Sequence, residues 1–312
     1  MKTIITLFIM LFIALGASAH GGNNYEHSDF FKSMQNGDKA AILMVHFGTT
    51  HADTRELTIE VLNNKVRQQF PDIELREAYT SRIAIKLLRD KGMVKENPSE
   101  ALKKLHAEGY THILIQPSTI IDGVEMESLY RNAAEVKSQF KDIRIGNPLL
   151  YDPHDYEAVI DVITKDMDKQ TAYVLVGHGT YDATTAQYAM LDYMLKIKGY
   201  KNFFVGTIEG YPEYDDMLIQ LKQSGLKKIV LIPFMFVAGE HAKNDIAGDW
   251  KENLEKEGYS SIDVKMEGLG QNSGIQDIFI SHLKFITRHR KLDIMDKKAK
   301  YQETGEKLKH AH

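Results

Sequence analysis

An unbroken apolar strand that runs straight into a short glycine turn occurs twice in this chain, and no other feature constrains its fold as much. Ala40-Ala41-Ile42-Leu43-Met44-Val45 leads into His46-Phe47-Gly48-Thr49, and Ala172-Tyr173-Val174-Leu175-Val176 leads into Gly177-His178-Gly179-Thr180. Strands that are apolar throughout belong to sheets covered on both faces. In the first half the pattern predicts strands at 73–79, 112–116 and 143–149, with helices at 53–70, 99–108, 125–140 and 155–167. The same order restarts with strands at 203–208, 228–232 and 262–266 and helices at 184–197, 214–223, 241–256 and 275–288. Strands alternating with helices at this spacing imply parallel sheets wound by right-handed crossovers.

Two anchors point to an internal duplication. Val45 to Thr49 aligns with Val176 to Thr180 at an offset of 131, and Leu114 to Gly123 aligns with Val230 to Gly239 at an offset of 116. The smaller second offset predicts extra residues in the first half, near 90–98. The expected fold class is α/β, with two similar domains, each a four-stranded parallel sheet flanked by helices, at 39–165 and at 166–289 with the final helix. A site is expected in the cleft between them.

The ends read differently. Lys2, the apolar run Ile4 to Leu15 and the small-x-small triplet Ala17-Ser18-Ala19 form a secretory signal peptide over 1–19. The run is shorter than the ~20 apolar residues a bilayer span needs, and no cysteine follows it for a lipid anchor. The expectation is export to the periplasm, with no membrane span after cleavage. Residues 20–38 are polar and rich in Gly and Asn, a loose leader, and 290–312 form a charged tail.

Composition narrows the chemistry. A net charge of −4 argues against a nucleic-acid surface covering the molecule. The chain has no cysteine, which removes thiol nucleophiles, disulfides and thiolate metal sites, so any metal falls to the carboxylates and the 13 histidines. Phosphate-loop, dinucleotide and hydrolase-elbow motifs are absent from the sequence.

Ligands of open parallel sheets bind beyond the carboxyl ends of the strands. In the second half His178 follows the first strand, Glu209 the second and His241 the third. Each has an ordinary reading alone: a turn histidine, a solvated strand end, a helix cap. Two imidazoles and a carboxylate converging on one sheet edge suit a borderline divalent transition metal with open positions. The first-half counterparts are Phe47, roughly Thr80, and Glu125. A single site per chain is therefore expected. His51/Asp53 and His112/Asp122 read as surface pairs, and the histidines at 20, 27, 310 and 312 as groups on flexible ends.

The runs Phe47-Gly48-Thr49, Tyr79-Thr80-Ser81, Gly177-His178-Gly179, Glu209-Gly210-Tyr211-Pro212-Glu213 and Val237 to Asp245, with its Gly-x-His-Ala-x-Asn-Asp core, resemble the anaerobic sirohydrochlorin cobaltochelatases over about residues 40–287. These are class II chelatases related in fold to ferrochelatase. The resemblance implies two pseudo-symmetric α/β domains with four parallel strands each, and His178, Glu209 and His241 as metal-binding positions, the two histidines being catalytic. It implies insertion of a divalent ion, Co²⁺ first and Fe²⁺ or Ni²⁺ as alternatives, into sirohydrochlorin, as in anaerobic cobalamin biosynthesis, with no organic cofactor. His241 is the first candidate for the base and His178 for the ligand, with exchanged roles left open. Thr49, Thr80 and Ser81 join the substrate-binding set. Basic groups that would receive the carboxylate-rich rim are Arg55, Arg82, Lys86 and Lys243. The signal peptide and the Lys-rich tail depart from the cytoplasmic pattern. The alternative reading is an exported tetrapyrrole, haem or metal carrier without turnover. Homo-oligomerisation is left open.

Overall fold

The computed structural model describes residues 24–239 and 242–304. The expected signal peptide, the first residues of the leader, His241, the Lys243 side chain and the end of the tail lie outside the described residues. The described strands are β1 (Tyr25–His27), β2 (Ala40–His46), β3 (Glu74–Tyr79), β4 (His112–Pro117), β5 (Asp142–Ile145), β6 (Thr171–Gly179), β7 (Phe203–Glu209), β8 (Lys228–Pro233), β9 (Ser261–Val264) and β10 (His289–Lys291).

They build two four-stranded sheets of matching order, β3-β2-β4-β5 and β7-β6-β8-β9, with every neighbouring pair parallel. Strand periodicity divides the core. Ile42 and Met44 of β2, and Tyr173 and Leu175 of β6, point into one shared central core. The alternate residues Ala41, Leu43 and Val45, and Ala172, Val174 and Val176, point to separate outer cores. Both faces are covered, which is why these strands carry no polar alternation.

The duplication is visible in the register. Val45 lies opposite Pro117 in the first sheet, and Val176 lies opposite Pro233 in the second. The offset of 116 also carries helix Pro98–Ala107 onto Tyr214–Ser224 and Gly109 onto Gly225. The element without a counterpart is therefore helix Arg82–Asp90, which begins upstream of the 90–98 window expected from sequence. The Ser81 hydroxyl opens this helix by accepting the Ala84 N–H at 3.2 Å. Asn97 caps the next helix in a reciprocal box with Glu100 and Pro98 in its first turn.

Helix Ser273–Arg288, expected from sequence to be the last, is followed by one more in the tail; it comes after the second half in chain order but packs against β4 and helix Pro153–Ile163 of the first. Buried His282 sits 2.8 Å from Asp155 Oδ1 and 3.2 Å from the Asn147 carbonyl. Helix Pro153–Ile163 in turn reaches the second half, where Tyr156 donates to the Gln187 carbonyl at 3.3 Å. This exchange ties the two halves into one body.

The leader is ordered over 24–38. β1 pairs antiparallel with β10, Tyr25 donates to Asn147 Oδ1 at 2.7 Å, and Phe30 is fully buried. Buried Arg144 bridges these parts: it pairs with Asp142 at 2.8 Å and donates to the carbonyls of Ser28 and Ile286. The charged tail likewise contains β10 and a helix, Ile294–Thr304, whose Lys297 reaches back to Asn24. Among the described residues no helix is long and apolar enough to cross a membrane.

Candidate active site

A cavity of about 670 Å³ opens at the carboxyl ends of β2, β4, β6 and β7, lined from both halves. That position follows from topology. In each sheet the first strand sits between its second and third, so the crossovers diverge to either side and leave a crevice at the strand ends.

From the second half, β6 brings His178 and β7 brings Glu209 to the cavity wall. Gly179 is the register partner of Glu209, so the two side chains start from adjacent strands. His178 Nδ1 stands 3.2 Å from the Gly179 carbonyl. A carbonyl accepts only, so Nδ1 is the donor of this contact, and in the neutral tautomer Nε2 then holds the lone pair. The loop after His178 adds Tyr181, which is 83% exposed. The Glu209 carboxylate beside it pushes its phenol up from the ordinary tyrosine value. Tyr181 was not among the residues expected at the site. Its signal lay in an aromatic placed three residues beyond His178 in a turn otherwise made of small and polar groups.

His241 lies outside the described residues, so its position relative to this pair is not part of the geometry. The chain leading to it is described: Gly239 lines the cavity, and a Cβ there would stand 3.7 Å from Thr49 Oγ1 and 4.0 Å from the His51 ring. Among the described residues no group of three His, Asp or Glu side chains forms a metal cage.

From the first half, Thr49, Ser81, Ser118 and Glu125 supply polar groups. Glu125 occupies the counterpart of His241, as the offset of 116 requires. Register corrects the counterpart of Glu209 by one residue. His46 opposes Tyr79 and Gly177 opposes Thr207, so Ser81, not Thr80, stands where Glu209 stands. Thr80 does not line the cavity, and its Oγ1 is buried without a hydrogen-bond partner. His51, expected at the surface, lines the cavity. His112, also expected there, is buried beneath Phe30 of the leader.

The added helix Arg82–Asp90 forms an apolar wall. Ile85 and Leu88 pack inward, while Ile83 and Leu87, one helical turn apart, line the cavity together with Ala84. Arg82 and Lys86 project one residue away on the adjoining exposed face and do not line it. Arg55 is buried 3.3 Å from Glu60 and does not line it either. The result is a largely apolar cavity whose lining includes the imidazoles of His51 and His178 and the carboxylates of Glu125, Asp182 and Glu209, with a volume in the range of small-molecule sites.

Solved structures share this fold. SirB from Bacillus subtilis with Fe³⁺ superposes with a TM-score of 0.57 at 15% identity, covering 79% of this chain and 94% of that one. CbiX, described as the terminal enzyme for biosynthesis of siroheme in denitrifying bacteria, superposes at 0.50 with 16% identity, covering 78% and 98%. The architecture is thus that of the two-lobed chelatases. Residues 40–288 match the family described as Cobalt chelatase (CbiK), and the chain belongs to that family. It is 35% identical over 253 residues to sirohydrochlorin cobaltochelatase of Salmonella typhimurium, covering 78% of this chain and 95% of the relative. It is 30% identical over 255 residues to sirohydrochlorin cobaltochelatase CbiKC of Nitratidesulfovibrio vulgaris, covering 78% and 89%.

Proposed function

We propose that this protein inserts a divalent metal ion, Co²⁺ by preference, into sirohydrochlorin within the cavity between its halves. The observation that carries the reading is the delivery of His178 and Glu209, from neighbouring strands, to the wall of a largely apolar cavity. Both relatives described above bear the name of that activity.

Insertion removes two protons from the ring nitrogens and strips ligands from the ion. His178, with the lone pair of its neutral ring, binds the incoming cation; Glu209 offsets its charge; and His241 completes the set and, once the ion has passed to the ring, takes one ring proton, the other leaving to solvent. A neutral imidazole suits that task because its ordinary pKa of about 6.5 lies near working pH. A set of three ligands leaves coordination positions open, so the ion can pass to the ring nitrogens. Thr49 and Ser81 contact the macrocycle, and Arg82, Lys86 and Lys243 meet its carboxylates at the rim. The metal is a substrate, and its identity follows from ligand type and supply as much as from affinity. We further propose that the chain acts in the periplasm, on the strength of Lys2, the apolar run and Ala17-Ser18-Ala19.

The test is absorbance of metal-free sirohydrochlorin mixed with Co²⁺ and the purified chain. Spectral conversion faster than the uncatalysed control, repeated over many turnovers, is expected. Stoichiometric binding without turnover would instead make the protein a carrier.

A further inference from the structure

Behind the first-half wall lies a polar chain, buried at His46, Asn63 and Ser118 and part-buried at Glu77 and Lys95, for which the reaction so far has no use. Lys95 Nζ is 2.6 Å from Glu77 Oε1, and Asn63 Nδ2 is 2.6 Å from Glu77 Oε2. Asn63 Oδ1 is 3.0 Å from His46 Nε2, and His46 Nδ1 is 2.8 Å from Ser118 Oγ. His46 is fully buried, stacked on Phe236 with ring centroids 5.8 Å apart, and Ser118 lines the cavity.

The direction of each bond in this chain is fixed from its far end. Glu77, paired with Lys95, is a carboxylate and only accepts, so Asn63 turns its amide nitrogen to Glu77 and its oxygen to His46. That oxygen only accepts, so His46 carries its proton on Nε2. Burial pushes the His46 imidazole below its ordinary value, which keeps it neutral. Nδ1 is then a lone pair, and Ser118 must donate its single proton to it. Ser118, which lines the cavity at 3% exposure, is left with oxygen lone pairs alone to offer a ligand.

We infer that Ser118 is a specificity-determining residue that accepts a hydrogen bond from an N–H of the metal-free ring. The inference rests on the proposed function, because that substrate carries N–H donors at its centre and the metallated product carries none. A carboxylate of the ring periphery cannot satisfy Ser118, since both groups are acceptors. The Ser118 lone pairs therefore favour the substrate over the product through a hydrogen bond that is lost once metal has entered. The equivalent positions of the second half, Gly177 and Phe234, carry no such pair, so the ring is read from one side.

The experiment is titration of wild type, Ser118→Ala and Ser118→Thr with metal-free sirohydrochlorin and with its cobalt-loaded form, followed by absorbance. The alanine variant should lose about 3- to 10-fold in affinity for the metal-free ring and nothing for the loaded one, the size of one net hydrogen bond. The threonine variant, which keeps the hydroxyl, should restore the preference. In ¹⁵N NMR, His46 should show a protonated Nε2 and an unprotonated Nδ1; the opposite tautomer overturns the inference. Equal loss for both rings, or for neither, overturns it while the proposed function stands. Wild type that binds neither ring overturns both.

Discussion

Gly179 faces the backbone of Glu209 so closely that a Cβ on it would lie 1.5 Å from the Glu209 carbonyl oxygen. Its φ of +84° is also one that side chains disfavour. Between them the two residues set the distance from the His178 turn to the end of β7, so the placement of His178 beside Glu209 depends on a missing side chain. Gly179→Ala should cost about 2–4 kcal/mol, because the obstructing atom is backbone and no rotamer relieves it. Gly199→Ala is the control: its φ is +90°, yet nothing lies within 4 Å, and the expected loss is only about 1–2 kcal/mol. Urea unfolding of both variants measures the difference. A smaller loss at Gly179 than at Gly199 contradicts the account.

The second prediction concerns the asymmetry between the halves. His178→Ala and His241→Ala should each lower the insertion rate by about 10²- to 10⁴-fold, the usual effect of removing a general base or ligand at the reacting centre. The double variant should lose much less than the product of the single losses, because residues that act as a unit are not additive. Glu209→Gln should raise the metal concentration needed for half-maximal rate. Glu125→Ala, from the opposite half, should be milder. Steady-state assays with Co²⁺ decide the matter, and full activity in either histidine variant removes that residue from the mechanism.

Much of this fold can be read before the structure because its sheets are covered on both faces, which forces apolar runs such as Ala40 to Val45 that turn residues then interrupt. The elements that cannot be read are those whose partners are remote. Tyr25-Glu26-His27 and His289-Arg290-Lys291 are short and mostly polar, and each becomes a strand only by pairing with the other. Helix Arg82–Asp90 escapes notice for a different reason. It buries Ile85 and Leu88 but also presents Ile83 and Leu87 to the cavity, so apolar residues occupy two faces and blur the helical stripe. At the site, His178 and Glu209 are legible from their places at strand ends. His51 is not, because nothing local distinguishes a histidine on a loop tip from one that the opposite half encloses.

The apolar wall supplies a third prediction. If Ile83 and Leu87 hold the face of the ring, Ile83→Asp should raise KM for the tetrapyrrole at least ~10-fold by placing a charge where apolar surface is removed from water. Arg82→Ala and Lys86→Ala act at the exposed rim, where ion pairs are worth about 0–1 kcal/mol each. Their effect on KM should be a few-fold and should fade as salt is added. Initial rates at low and high ionic strength separate the two kinds of contact, and a salt-independent effect at Arg82 or Lys86 refutes the rim assignment.

Export is checked most directly by the amino terminus. Edman or mass-spectrometric sequencing of protein from the native host should find a chain that starts near His20, recovered outside the cytoplasm. Full-length chain beginning at Met1 in the soluble cytoplasm would contradict the signal-peptide reading.

The buried chain at His46 also makes stability depend on pH, with a sign that can be worked out. An unfolded histidine titrates near 6.5, whereas burial depresses the folded His46 below that value. Between the two values the unfolded state binds the extra proton and the folded state does not. Stability therefore falls as pH drops through 6.5, and this loss stops only when the folded group itself takes up a proton. His112, likewise depressed by burial, adds a contribution of the same sign. Replacing His46 with Asn would remove its share, so the wild-type urea midpoint should decline more steeply between pH 7.5 and pH 5.5, a range of about two units around the ordinary value, than that of His46→Asn. The variant is expected to be less stable at pH 7.5, because Asn63 and Ser118 lose their bridging partner. The diagnostic quantity is thus the slope with pH and not the midpoint itself. Parallel slopes for the two proteins would mean that His46 titrates alike in the folded and unfolded states, contrary to its burial.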